Sequence, residues 1–216
     1  MHPILQRMEI AYRIFVIEQE DSSPFNRAKL FNIGFNEATT RYAHDKYTCF
    51  VFHDVDLLLE NELNDYACLD SPRYMCPAID IWGYRSFSPY SFGGVVGIKE
   101  KDFRAVNGYS NKYWGWGSED DDMYWRFRYT GYKISRPPLT HGRYTMISHK
   151  SEPRNRKAIL MLKKTEKGVL DNKENGLTSL RYDVLRVKEN VLFTHIFVDL
   201  KMTDEEKDLT DVKIKR

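Results

Sequence analysis

The run Tyr47-Thr48-Cys49-Phe50-Val51-Phe52 is continuously apolar and breaks off abruptly in His53-Asp54-Val55-Asp56. A strand that is apolar on both of its alternating faces belongs to a sheet covered on both sides, which usually means by helices. Just ahead of it, residues 26–40 repeat Leu30, Ile33 and Phe31, Phe35, Ala38 at helical spacing. Helix, buried strand and polar end form an α/β pattern, and such folds bind ligands beyond the carboxyl ends of their strands. A chain of 216 residues fits one such domain with a substantial core. The domain is expected over residues 1–200, with the mostly charged residues 201–216 as a frayed, disordered tail.

The remaining pattern agrees with that class. Residues 1–9 read as the end of a helix without a capping signal, and residues 10–18 as a strand around Ile14, Phe15, Val16 and Ile17. Phe92-Gly93-Gly94-Val95-Val96-Gly97-Ile98 reads as a glycine-laced strand, followed by a short helix ending near Asn107-Gly108. Residues 120–129 predict a helix with acids in its first turn, Arg126 and Arg128 in its last, and Gly131 as its stop. Residues 151–173 are basic and loop-like. Residues 180–187 and 191–200 predict a hairpin turned at Lys188-Glu189-Asn190.

Charge excludes some partners. The formal net charge is +2, with both signs interspersed, so there is no electrostatic footprint for nucleic acid or an anionic membrane. No apolar run approaches the ~20 residues of a membrane span, and no signal-peptide pattern opens the chain. Three cysteines do not define a disulfide scaffold. A Cys49–Cys68 bridge would be worth roughly 3 kcal/mol, although the residues alone favour two unpaired buried thiols. Cys76 has no obvious mate.

Several motifs could carry chemistry. Asp54-Val55-Asp56 puts two carboxylates past a buried strand, both on one side by alternation, where they could hold a hard divalent cation. Alone, Asp-x-Asp is common in polar loops. Glu119-Asp120-Asp121-Asp122 packs carboxylates whose repulsion could raise a pKa toward general-base use, but a helix N-terminus also favours acids. The preceding Trp114-Gly115-Trp116-Gly117 tips the balance, because glycines permit motion and a tryptophan face can stack on a sugar. Met146-Ile147-Ser148-His149 reads by itself as a core methionine beside a surface histidine. Arg27, in Phe25-Asn26-Arg27, could reach a phosphate, or could simply be solvated.

In order along the chain, Phe25-Asn26-Arg27-Ala28-Lys29-Leu30, Phe50-Val51-Phe52-His53-Asp54-Val55-Asp56-Leu57, Phe92-Gly93-Gly94, Tyr113-Trp114-Gly115-Trp116-Gly117-Ser118-Glu119-Asp120-Asp121-Asp122, Ile134-Ser135-Arg136-Pro137, Met146-Ile147-Ser148-His149 and Gly176-Leu177-Thr178-Ser179-Leu180 resemble the β-1,4-galactosyltransferases. The match runs from residue 1 to about residue 200. The resemblance implies an α/β, glycosyltransferase A-type fold with a mixed central β-sheet flanked by helices. It implies an inverting, Mn²⁺-dependent transfer of galactose from UDP-galactose to the 4-hydroxyl of a terminal β-N-acetylglucosamine on a glycan, glycoprotein or glycolipid. Asp56, Met146 and His149 would hold the metal. Phe25, Asn26, Arg27, Asp54, Val55, Asp56, Gly94 and Trp116 would bind the donor. Asp120 would be the catalytic base, with Ser118, Glu119, Asp121 and Arg156 on the acceptor. The resemblance also implies a Cys49–Cys68 disulfide and a Golgi-lumenal, type II membrane protein whose anchor lies outside this chain. The tryptophan loop and the Met146 segment would close together on the substrates.

The chain also departs from the family pattern. Family domains begin one strand earlier, with an arginine-rich segment that grips the diphosphate, and that strand is expected to be missing here. Ser91 stands where galactose users carry tyrosine and N-acetylgalactosamine users an aliphatic residue, which makes UDP-GalNAc an alternative donor. Ile81 replaces a basic residue near the phosphates. The residues around Met146 argue against the xylose-directed branch. Two readings of other classes compete: a non-catalytic sugar- or nucleotide-binding relative, and a metal-dependent hydrolase.

Overall fold

Asn26 closes its own helix cap, its side chain accepting from the Lys29 amide at 2.9 Å, and the first long helix runs from there. The structure is a computed structural model that describes residues 1–86, 88–150 and 152–210. The elements in order are α1 His2–Arg7, β1 Phe15–Gln19, α2 Arg27–Thr40, β2 Cys49–His53, β3 Leu57–Leu59, β4 Arg73–Tyr74, β5 Ala78–Ile79, β6 Val95–Lys99, α3 Glu100–Ala105, α4 Glu119–Tyr129, β7 Arg143–Met146, α5 Arg156–Glu166, β8 Asp183–Glu189, β9 Thr194–Asp199 and α6 Asp204–Lys207.

The fold is α/β with mixed strands flanked by helices. Its strands pair as three three-stranded sheets, in the orders β1-β9-β8, β2-β6-β4 and β3-β7-β5. The first and third mix parallel and antiparallel pairs, whereas the second is antiparallel throughout. Helix α2 lies between two apolar clusters. Ala28 and Phe35 join Phe52, Phe103 and Tyr109 on one side, while Leu30 and Ile33 join Trp114, Ile196 and Val198 on the other. This accounts for the two apolar stripes in its sequence.

The strand buried on both faces is β6, whose Val95, Val96, Gly97 and Ile98 are all buried, and not β2. In β2 only Phe52 is buried, and its other four residues are half-buried. The glycine-laced strand starts at Val95 because Gly94 has φ +75°, outside the extended region. Cys49 and Cys68 form a disulfide, and Cys76 is free and buried. The bridge joins the edge strand β2 to the segment entering β4, on opposite sides of β6.

Three expectations are corrected. Residues 151–173 are not a loop: α5 occupies Arg156–Glu166, capped by Asn155, and buries Ala158, Leu162 and Thr165. That narrow stripe at i, i+4, i+7 is hidden in sequence by the surrounding lysines and arginines. Ser151, which opens the expected loop, lies outside the described residues. The hairpin turns over residues 190–193, where the Asn190 amide donates to the Phe193 carbonyl at 3.0 Å. Residues 201–210 are not a frayed tail. Thr203 and Glu206 form a capping box on α6, Glu206 lies 3.6 Å from the buried Lys29 ammonium, and Asn155 donates to the Leu209 carbonyl. Residues 211–216 of the expected tail lie outside the described residues.

Candidate functional site

Where β2 ends, the Asp54 amide donates to the Gly94 carbonyl at 2.9 Å, tying the Asp-Val-Asp turn to the double glycine before β6. Arg27, the first residue of α2, donates from Nε to Asp54 Oδ1 at 2.6 Å and from Nη1 to Glu119 Oε1 at 3.1 Å. One guanidinium therefore bridges the Asp-x-Asp turn and the acidic N-terminus of α4. Burial opposes the charge on Arg27, but Asp54 and then Glu119 outweigh it and raise its pKa. For Glu119 the shift works against the charged form: burial and then the neighbouring Asp120 push its pKa up to about 7, against the pull of Arg27. The difference is that Arg27 has two carboxylates, whereas Glu119 Oε2 is buried with no hydrogen-bond partner among the described residues. Burial, then Asp120, lifts Asp121 to about 6, with Arg154 opposing.

Gly93 makes room for Asp120. A Cβ at position 93 would collide with Asp120 Oδ2, and one on Gly94 would come within 2.6 Å of Cys76 Sγ. The double glycine thus brings the backbone before β6 directly against the Asp120 carboxylate. Ser118 occupies the N-cap of α4 in the left-handed region, with φ +81°. Its hydroxyl accepts from Arg154 Nη2 at 3.2 Å, and Arg154 also lies 3.6 Å from Asp121 Oδ2 and 5.9 Å above Trp116.

The residues assigned to metal binding lie on two adjacent segments. Leu57 pairs in register with Met146, and the Ile147 amide donates to the Asp56 carbonyl at 2.7 Å. This brings His149 Nε2 to 3.1 Å from Asp56 Oδ2, while His149 Nδ1 faces the Lys150 carbonyl at 3.0 Å. Asp80 Oδ1 fixes the start of the segment by accepting from the Met146 amide at 2.9 Å. Among the described residues no group of three or more His, Cys, Asp or Glu side chains could hold a metal. A carboxylate and an imidazole already in contact could nevertheless give a divalent cation two of its ligands, and Met146 stands in register with Leu57, one residue from Asp56. The backbone contact on the far imidazole nitrogen is the usual support for a metal-ligating histidine.

The two tryptophans have opposite fates. Trp114 is fully buried, whereas Trp116 is 55% exposed. Between them Gly115, with φ +78°, donates to the Phe25 carbonyl at 2.7 Å. Asn155 joins this segment to α5 by donating from its side chain to the Trp114 carbonyl at 2.7 Å and from its amide to the Trp116 carbonyl at 3.1 Å. Phe25 and Val55 flank Arg27 and Asp54 as exposed apolar groups.

Some expected residues fall elsewhere. Asn26 is buried as the cap of α2, donating to the Asn111 carbonyl, so its part is to place Arg27 and not to face a ligand. Arg156 is exposed at the start of α5. Arg154, which no motif singles out, is the arginine on Ser118 and Asp121. Ser91 is half-buried, its carbonyl accepting from Arg136 at 2.8 Å, and Ile81 is exposed. Asp80 was also missed, since its contact with Met146 depends on strand pairing across 66 residues.

A family model described as the N-terminal region of glycosyl transferase group 7 matches residues 1–69, and one described as the N-terminal domain of galactosyltransferase matches residues 73–150. β-1,4-Galactosyltransferase 2 of Homo sapiens is 45% identical over 202 residues, covering 93% of this chain and 53% of that protein. β-1,4-Galactosyltransferase 1 of Bos taurus is 43% identical over 204 residues, covering 93% and 49%. The chain therefore spans about half the length of the curated relatives it matches. The catalytic domain of Drosophila β-1,4-galactosyltransferase 7 in complex with xylobiose superposes with TM-score 0.80 at 27% identity, covering 99% of this chain and 90% of that one. A mutant of that enzyme, bound to manganese, UDP-Gal and xylobiose, gives TM-score 0.79 at the same identity and coverage.

Proposed function

The chain belongs to the β-1,4-galactosyltransferase family, and from that premise we propose that it transfers galactose from UDP-galactose to the 4-hydroxyl of a terminal β-linked N-acetylglucosamine. The observation that carries this reading is the Arg27 bridge, which couples Asp54 on the donor side to Glu119 on the acceptor side.

Asp120, with its carboxylate against Gly93, would take the proton of the acceptor 4-hydroxyl. The freed oxygen would attack the anomeric carbon from the face opposite UDP, so an α-linked donor gives a β-linked product. Glu119 and Asp121, both shifted upward by burial, would hydrogen-bond the acceptor ring beside that oxygen. Phe25 and Val55 would pack on the nucleotide, and Trp116 would cover the donor sugar and exclude water. Asp56, His149 and Met146 would hold Mn²⁺, which when bound supplies positive charge to the departing diphosphate. The Cys49–Cys68 disulfide suits an oxidising compartment such as the Golgi lumen.

Ser91 supports one second reading. A small side chain there leaves room for an N-acetylated donor, so UDP-GalNAc is the competing substrate. The test is a matrix of UDP-Gal, UDP-GalNAc and UDP-GlcNAc against N-acetylglucosamine and xylobiose, with and without Mn²⁺. UDP-Gal and N-acetylglucosamine should give Mn²⁺-dependent turnover. Asp120→Asn should lower kcat by about 10²–10⁴-fold while keeping the Mn²⁺-dependent thermal shift with UDP. Faster turnover of UDP-GalNAc would transfer the assignment to that donor. A UDP shift without transfer in any cell of the matrix would leave a binding protein.

A further inference from the structure

His53, the last residue of β2, turns its side chain back on the backbone of the Asp-Val-Asp turn. Its Nδ1 lies 2.7 Å from the Asp54 carbonyl and its Nε2 lies 2.8 Å from the Tyr66 hydroxyl. A carbonyl oxygen only accepts, so Nδ1 carries the proton. Burial keeps the imidazole pKa below its usual value, so the ring is neutral and Nε2 accepts from Tyr66. The Tyr66 oxygen then accepts from the Tyr144 hydroxyl at 3.3 Å, and the Tyr144 oxygen from Asn64 Nδ2 at 3.3 Å. Asn64 Oδ1 in turn accepts from Arg73 Nη2 at 2.9 Å. Every donor in the chain points the same way, from Arg73 to the Asp54 carbonyl.

Packing alone does not call for this chain. Tyr66 and Tyr144 lie in the larger apolar cluster, where phenylalanine would fill nearly the same volume without a buried hydroxyl to satisfy. What the chain connects is more telling. The Asp54 carbonyl also accepts from the Leu57 amide at 3.3 Å, so His53 braces the turn that presents Asp56. Tyr144 lies on β7 two residues before Met146, hence on the same face of that strand, and β7 runs on into His149. The Cys49–Cys68 bridge keeps Tyr66 close to β2, since it joins that strand to the residue two beyond Tyr66. The His53 and Tyr66 rings lie nearly parallel, with planes at 25° and centroids 5.8 Å apart. His53 thus reaches the turn through one nitrogen and β7, by way of Tyr66, through the other.

We infer that His53 is a positioning residue for the divalent cation: through Tyr66 and Tyr144 it sets the Asp54-Val55-Asp56 turn against β7, and so fixes Asp56 relative to Met146 and His149. The inference rests on the reading of Asp56, Met146 and His149 as metal ligands and goes beyond it, since His53 would touch neither metal nor substrate. The backbone already pairs Leu57 with Met146 and ties the Ile147 amide to the Asp56 carbonyl. Those bonds set register, but not the tilt of the Asp54–Val55 peptide, whose carbonyl faces His53. The His53 bond fixes that plane, and with it the direction in which Asp56 leaves the turn. Groups that support metal ligands from outside ordinarily change metal affinity by about 10–100-fold. A core hydrogen bond of no further consequence would show in stability alone.

The test reads Mn²⁺ binding directly, by loss of the free-ion EPR signal in the presence of UDP, beside the Tm in metal-free buffer. Asp56→Ala, the control on the metal reading, should abolish binding. His53→Leu should weaken binding about tenfold and lower the Tm. His53→Asn puts an amide nitrogen where Nδ1 stands but offers nothing to the Tyr66 hydroxyl. It should recover most of the affinity while the Tm stays low. Tyr66→Phe keeps the ring and removes one oxygen, so it tests the same link should His53→Leu fail to fold, and it too should weaken binding. Wild-type Mn²⁺ affinity in the folded His53→Leu or Tyr66→Phe protein overturns the proposal and leaves the metal site standing. So does an affinity in His53→Asn no better than in His53→Leu, which would make the chain a matter of stability. Mn²⁺ binding that survives Asp56→Ala, or none in the wild type, sinks the metal reading itself, and His53 loses its role with it.

Discussion

Glu119 concentrates the electrostatics of the site in one residue. It is buried, one carboxylate oxygen is taken by Arg27, and the other has no partner among the described residues. Burial and Asp120 together leave it near pKa 7, and Asp121 near 6. The folded state then holds protons that an unfolded carboxylate, with a usual pKa near 4, has already released. Stability should therefore fall as pH rises through the window between those values, because the unfolded state binds fewer protons there. In metal-free buffer the wild-type Tm should drop between about pH 5 and pH 8, and Glu119→Gln, equal in size and uncharged throughout, should flatten that drop. Parallel pH profiles for the two proteins would remove Glu119 as the source. The four-acid cluster was visible in sequence, but which members are shifted was not, since that depends first on how deeply the tertiary packing buries each carboxylate.

The elements of the site are joined end to end by caps and turns. Asn155 is the clearest joint. It caps α5 by accepting from the Lys157 amide, donates to the carbonyls of Trp114 and Leu209, and is 1% exposed. Asn155→Ala should cost about 2 kcal/mol through the lost cap and an unpaired buried carbonyl, seen as a fall in Tm of about 4–8 °C. Asn155→Asp keeps the acceptor and loses the donor, so it should recover only the capping share, about 1 kcal/mol. Equal losses in the two variants would mean that the cap contributes nothing. This joint fixes Trp114 as an anchor and leaves Trp116 as the exposed member of the pair. The sequence presented both as equals because glycine flanks each of them, and only the packing of Trp114 between α2 and β9 distinguishes them.

Across the whole molecule, the disulfide and the two apolar clusters hold the sheets in register beneath the site. The Cys49–Cys68 bridge ties together the segments on either side of β6 and spans 19 residues. Cys49→Ser together with Cys68→Ser should lose roughly 3 kcal/mol, and the melting temperature should fall by about 6–12 °C. A reductant should reproduce the shift in the wild type and leave the double variant unchanged. A wild-type Tm insensitive to reductant would show that the bridge does not support the fold. Reading the cysteines alone favoured unpaired thiols, because pairing depends on where β2 and the chain before β4 end up on either side of β6.

Local physics decided a good deal of this protein in advance. The stripes of α2, the acid-rich start of α4, the apolar runs of β2 and β6, and the order of the motifs follow from side-chain periodicity and backbone preference, which a sequence displays directly. The double glycine was visible too, but its purpose was not: only in three dimensions does Gly93 meet Asp120 and Gly94 meet Cys76. The Asp56–His149 contact, the Arg27 bridge and the choice of Arg154 at Asp121 are all meetings of residues remote in sequence. Such contacts depend on how strands pair and helices pack, and no local pattern encodes that.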